Sequence, residues 1–295
     1  MLLIIFLTIP AVFCQEMIVT MEYTDYLKRH VDWEVVDYED NIFKGWTVDE
    51  VEALLIQEVP QFDEFLPSIE ADTALPSKLV WGASCIHEVR NQNNQSNCTA
   101  GWAFAAADML ADRCCLHTGK DHGFLSPQEL ISCDSISHGC QGGWPSWAID
   151  YVIRTGGLVP EACFSYKARD LRCPTMCDNG SDWRTAHVCS CNSLTRCMGV
   201  ERMKSCLKTG PISVAFHITR SFLSYKEGIY KCDGPSIGVH AAVAIGYDDK
   251  PECHWIIRNS WGTEWGKKGY VHMACQTCGV NGNYPNGNVM CDKVT

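Results

Sequence analysis

No apolar run in the chain is long enough to cross a bilayer, the first thirteen residues included. The chain also has no internal repeat and no long low-complexity tract, so solenoid and fibrous architectures are excluded. Basic clusters are missing too: 24 Lys and Arg stand against 35 Asp and Glu, a net charge of −11, which argues against nucleic acid as a partner. No cysteine pair has a matching second pair at zinc-finger spacing. Cys173–Cys177, Cys189-Ser190-Cys191 and Cys275–Cys278 therefore read as disulfide cysteines, and neither a metal nor a cofactor is expected.

What is present points to secretion. Met1 to Phe13 is almost wholly apolar and the polar pair Gln15-Glu16 follows Cys14, so residues 1–14 read as a signal peptide, although without the usual basic start. Removing Cys14 leaves 18 of the 19 cysteines, an even number scattered through Gly- and Pro-rich loops. That usage fits an oxidising compartment, either extracellular or a lysosome- or vacuole-like vesicle, and a soluble, monomeric chain.

The first stretch after the leader, residues 15–74, differs from the rest in being polar and acidic, with apolar residues at helical spacing. Asn41 to Trp46 reads as a turn. Thr47, with Glu50 three residues on, reads as the cap of a helix reaching Leu55. A boundary is expected near Leu75-Pro76, opening a domain over residues 75–295. Within it, an alanine-rich helix should run from about Gly101 to Cys114, and Ser126-Pro127 should start another. Apolar runs at Pro211–His217, Ala241–Tyr247 and His254–Arg258 read as strands of a β-rich half.

Four motifs follow one another through this domain: Gln95-Ser96-Asn97-Cys98-Thr99-Ala100-Gly101-Trp102-Ala103-Phe104, then Gly139-Cys140-Gln141-Gly142-Gly143-Trp144-Pro145, then Gly238-Val239-His240-Ala241-Ala242-Val243, and last Trp255-Ile256-Ile257-Arg258-Asn259-Ser260-Trp261-Gly262-Thr263-Glu264-Trp265-Gly266. In order and spacing they resemble the papain-like cysteine proteases, with the cathepsin B branch nearest; the last stretch is the most specific. The resemblance implies an α+β papain-like two-domain fold, with a helical left lobe and an antiparallel, barrel-like right lobe. It also implies that residues 15–74 stand where that family carries an inhibitory propeptide.

Carried over position by position, the resemblance makes His240 the general base, Asn259 the amide that orients it, and Trp261 the shield over their hydrogen bond. By gap-free spacing Gln95 is the oxyanion donor, with Gln92 second because the Asn-rich stretch between them leaves room for an insertion. Gly142 and Gly143 would line the cleft, letting an extended peptide pass close to the backbone. The nucleophile position, before Trp102, holds Gly101. Acyl transfer by this chemistry needs a thiolate, and glycine offers none. Cys98 stands three residues earlier and resembles the family's disulfide cysteine. By the same resemblance Cys98 pairs with Cys140, Cys85 with Cys115, Cys133 with Cys173 and Cys163 with Cys177; the other ten cysteines stay unassigned.

Three functions stay open. The first is a non-cleaving homologue that binds a peptide or protein ligand in the cleft, alongside its own propeptide-like segment. The second is a cysteine endopeptidase in which another cysteine compensates for Gly101. The third is a disulfide-rich structural or interaction protein. The resemblance also predicts no carboxydipeptidase activity, since no histidine lies between Cys163 and Cys177. Three N-glycosylation sequons start at Asn94, Asn97 and Asn179.

Overall fold

The computed structural model describes residues 16–58, 67–93 and 97–295. The leader (residues 1–14), Gln95 and the sequon asparagine Asn94 lie outside the described residues. Among the described residues no helix is long and apolar enough to cross a membrane.

The N-terminal segment folds as α1 (Met21–His30), a two-residue strand β1 (Glu34–Val35) and the short helix α2 (Val48–Glu52). Thr20 and Thr47 cap the two helices. At Thr47 the reciprocal box with Glu50 is complete. That helix stops earlier than its apolar face suggests, because Leu54, Leu55 and Ile56 are drawn out into contact with the main domain. Asn41 fixes the intervening turn: its Oδ1 accepts from Phe43 N at 2.9 Å and its Nδ2 donates to Leu223 O at 3.2 Å.

The left lobe is built on α3 (Gly101–Thr118), flanked by α4 (Pro127–Cys133) and α5 (Pro145–Thr155). α3 is buried from Gly101 to Cys115 and reads as apolar nearly all round, as a core helix should. It runs a turn past the expected end and stops at Gly119, whose φ of 71° closes the helix in the left-handed conformation. Its polar members are each paired. Asp108 meets Arg90 at 3.1 Å, and Asp112 meets Arg258 at 2.8 Å. Buried Arg113 donates to the carbonyls of Cys291 and Pro211.

The right lobe contains β2 (Lys78–Val80), β3 (Leu194–Arg196), the helix α6 (Val200–Leu207), β4 (Ile212–Thr219), β5 (Tyr225–Glu227), β6 (Ile229–Tyr230), β7 (Ser236–Asp248), β8 (His254–Arg258), β9 (Tyr270–Ala274) and β10 (Val289–Cys291). The strand order is β3-β10-β4-β7-β8-β9-β6, with β2 added against β7. Pairing is antiparallel except at one edge, where β6 runs parallel to β9; the intervening β7 and β8 supply the long connection that parallel strands need.

β7 is the wall shared by both lobes. Val239, Ala241, Val243 and Ile245 join the core around α3, while Ala242, Ala244 and Tyr247 join the core of the right lobe. Both faces are covered, so the strand reads as a continuous apolar run rather than an alternation. The right-lobe core also takes in Ile18, Leu27, Trp33, Val35, Phe43, Val51, Leu54 and Leu55 from the N-terminal segment. β1 pairs with β5, and Trp33 packs on Tyr225 and Tyr230 at centroid distances of 5.8 and 5.3 Å.

Nine disulfides take up all eighteen described cysteines. The four expected pairs are formed. The other ten cysteines pair as Cys114–Cys189, Cys191–Cys291, Cys197–Cys206, Cys232–Cys278 and Cys253–Cys275. Charge is unevenly shared. Residues 16–58 hold 12 carboxylates against 3 Lys or Arg, whereas residues 75–295 hold 19 against 21.

Candidate active site

The site lies where the start of α3 meets β7 and the loop after β8. Asn259 Oδ1 accepts from Ser260 N at 2.8 Å, which identifies that atom as the amide oxygen. The same oxygen lies 2.8 Å from His240 Nε2, so Nε2 carries the proton and donates it. His240 Nδ1 is therefore left as a bare acceptor. Burial pushes the imidazole down to about 4 against a smaller opposing effect of the Asn259 hydrogen bond, so the ring is neutral at physiological pH.

That acceptor faces the first residue of α3. A Cβ on Gly101 would stand 2.6 Å from both Nδ1 and Cε1 of His240, and 3.3 Å from Ala241 O. The ring occupies the room a side chain would need. Residue 101 has no side chain that could present a proton to Nδ1.

Trp261 covers the pair, with its ring centroid 4.9 Å from that of His240 and 1% of its surface exposed. Phe43 of the N-terminal segment packs edge-on against Trp261 at 5.2 Å. Gln92 is fully buried. Its Oε1 accepts from Ser260 Oγ at 2.7 Å, while its Nε2 has no partner among the described residues. A chain of hydrogen bonds thus runs from Gln92 through Ser260 to Asn259 and His240, and Ser260 is a positioning residue that sequence reasoning passed over inside its own motif.

Gly142 and Gly143 border a groove of about 740 Å³ that also includes His138, Trp144, Trp147 and Ile56 to Glu58. Gly142 holds a φ of 115°, and a Cβ on Gly143 would run into Trp102 at 2.7 Å, so both positions need glycine. Thr99 was given no role in the sequence reading. Its Oγ1 donates to Ala53 O at 2.8 Å, tying the loop before α3 to the N-terminal segment.

Among the described residues, two groups bring three ligand-type side chains together: Cys114, His122 and Cys189, and His217, Cys232 and Cys278. In each, both sulfurs belong to one disulfide, which leaves a single imidazole as donor.

The sequence model described as papain family cysteine protease matches residues 75–286. The chain belongs to that family. Its curated relatives include a cathepsin B-like protein, CP2 of Giardia intestinalis, 36% identical over 201 residues, a match covering 64% of each chain. Cathepsin K of Mus musculus is 34% identical over 198 residues, covering 63% of this chain and 57% of its own. Cathepsin B-like CP3 of Giardia intestinalis is 30% identical over 255 residues, covering 81% and 84%. The chain therefore spans less than two thirds of the length of the first relatives it matches. Among solved structures, procathepsin B S9 from Trypanosoma congolense superposes with a TM-score of 0.78 at 24% identity, covering 90% of this chain and 96% of that one. This likeness bears on the fold alone. This is a papain-family chain with cathepsin B-like homologues.

Proposed function

We propose that this papain-family chain is a non-catalytic, cathepsin B-like homologue: Gly101 occupies the nucleophile position, and the protein acts by binding rather than by cleaving. His240, Asn259 and an oxyanion amide stay in their family roles. Gln92 is the better candidate for that amide, since its Nε2 is buried, unpartnered and oriented through Ser260. The ligand class is an extended peptide or protein segment running along Gly142 and Gly143, with residues 15–74 as a propeptide-like partner. The protein works as a monomer in the secretory pathway, extracellular or in a lysosome-like vesicle, with glycans on its sequons; Asn97 and Asn179 are both exposed.

One observation carries this reading: every described cysteine is in a disulfide, so the neutral imidazole of His240 has no thiol to deprotonate. Compensation by a neighbouring cysteine would require opening Cys98–Cys140, and that bridge ties the loop before α3 to the glycine-rich rim. The test is peptidase activity of the purified protein on a broad fluorogenic peptide mixture, beside a count of alkylatable thiols under native conditions. The expected result is no turnover and no thiol in the folded domain. Turnover abolished by a thiol-directed inhibitor would replace this reading with that of an active endopeptidase.

A further inference from the structure

We propose that the Thr99 hydroxyl is the latch that fastens residues 53–57 in place as a wall of the cleft. The inference rests on the non-catalytic reading of the same site and concerns what occupies it.

Three contacts carry it. Thr99 lies two residues before Gly101, in a loop anchored by the Cys98–Cys140 disulfide and by Thr99 N donating to Cys140 O at 3.0 Å. Its hydroxyl, 5% exposed as a residue, donates to Ala53 O. Next, Ile56 N donates to Val239 O at 2.8 Å and Val239 N returns a bond to Ile56 O at 2.9 Å, so the segment makes a single antiparallel bridge beside His240. Finally, the backbone of the domain is shaped to receive it. Gly238 holds a φ of 148°, and a Cβ there would strike Leu55 Cβ at 2.7 Å and Gln57 Nε2 at 2.9 Å. Leu54 and Leu55 are 1% exposed, and the Ile56 side chain lies against Gly142. Residues beyond the cleft are pinned as well: Arg196 N donates to Pro67 O at 2.8 Å, and Asp72 N to Ser205 Oγ at 2.9 Å.

An incoming peptide therefore meets a short groove. To reach His240 it must break the paired bonds at Val239 and leave Ala53 O without its hydroxyl donor. The ligand surface is the composite of Gly142, Gly143, Trp147 and His138 with the side chains of Ile56 and Gln57.

The test is site-resolved amide hydrogen exchange on the full chain, for wild type, Thr99→Ser and Thr99→Val, all three in an Asn97→Gln background because Thr99 completes the Asn97 sequon. In wild type and in Thr99→Ser, the amides of Ile56 and Val239 should exchange as slowly as those of Val243 in the middle of β7 and Ile257 in β8. In Thr99→Val, which keeps the shape and removes the donor, they should exchange at least tenfold faster while Ile257 in β8 is unchanged. Exchange at Ile56 in wild type at the rate of an exposed amide overturns the wall, and that measurement stands even if the valine variant fails to fold. The two ideas also fail separately. A protein silent toward peptides but fast-exchanging at Ile56 loses the wall and keeps the non-catalytic reading; thiol-dependent cleavage does the reverse.

Discussion

The imidazole of His240 stands in the space that a side chain on Gly101 would fill, with Nδ1 and Cε1 each 2.6 Å from the Cβ position. At an ordinary helical glycine, alanine is stabilising by about 0.4–1 kcal/mol through the unfolded state. Here the sign should reverse. Gly101→Ala forces the ring or the backbone to move, and overpacking of this kind costs about 1–3 kcal/mol. Urea unfolding of Gly101→Ala, His240→Ala and the double variant measures the coupling, which should largely vanish once the ring is gone.

Placing a thiol at residue 101 should not produce peptidase activity. In Gly101→Cys the introduced Cβ meets the same ring, and the Nε2 bond to Asn259 must lengthen or break to admit it. The expected outcome is a thiol that alkylates no faster than an ordinary exposed cysteine, without measurable peptide turnover in the full chain. Rapid, pH-independent alkylation would mean that the imidazole can still draw the proton from a thiol at this site.

Two histidines should titrate in opposite directions. Burial holds His240 at about 4, below its unfolded value, so the stability it confers is complete above about pH 6.5 and is lost as the pH falls toward 4. His87 is raised, chiefly by its hydrogen bond to Asp112 against the cost of burial, with Asp121 on the other ring nitrogen. Its contribution is complete below the unfolded value and is lost as the pH rises through its folded one. Imidazole NMR titration should show His240 flat between pH 8 and 5.5 while His87 titrates above the usual histidine range.

Asp112 joins the lobes from α3, bonding Arg258 on β8 at 2.8 Å with both side chains almost fully buried. Asp112→Ala leaves a buried guanidinium without its carboxylate, and the loss should be about 3–5 kcal/mol. Asp121→Ala, which removes only the exposed partner of His87, should cost under about 1 kcal/mol. Denaturant unfolding of the two variants checks the contrast.

The parts legible in the sequence were those carried by local pattern. The capping box at Thr47, the Ser126-Pro127 helix start and the β8 strand each declare themselves within a few residues. β7 was read as starting at Ala241, five residues late, because Ser236 and Gly238 interrupt the apolar run; Gly238 is there to admit Leu55 from a different part of the chain. The same holds for Thr99, whose partner Ala53 is 46 residues away, and for Cys191–Cys291, closed over 100 residues. Gap-free spacing put Gln95 first and Gln92 second for the oxyanion amide, and Gln95 lies outside the described residues. What favours Gln92 is its contact with Ser260, 168 residues on.

The charge asymmetry between the N-terminal segment and the domain has a practical side. With 19 carboxylates against 21 Lys or Arg, residues 75–295 taken alone would be slightly cationic, so the acidity of the whole chain is contributed by the residues ahead of them. Separation of the two parts would then announce itself as a reversal in electrophoretic direction near neutral pH. Cation-exchange resin would retain the released domain while the intact protein ran through.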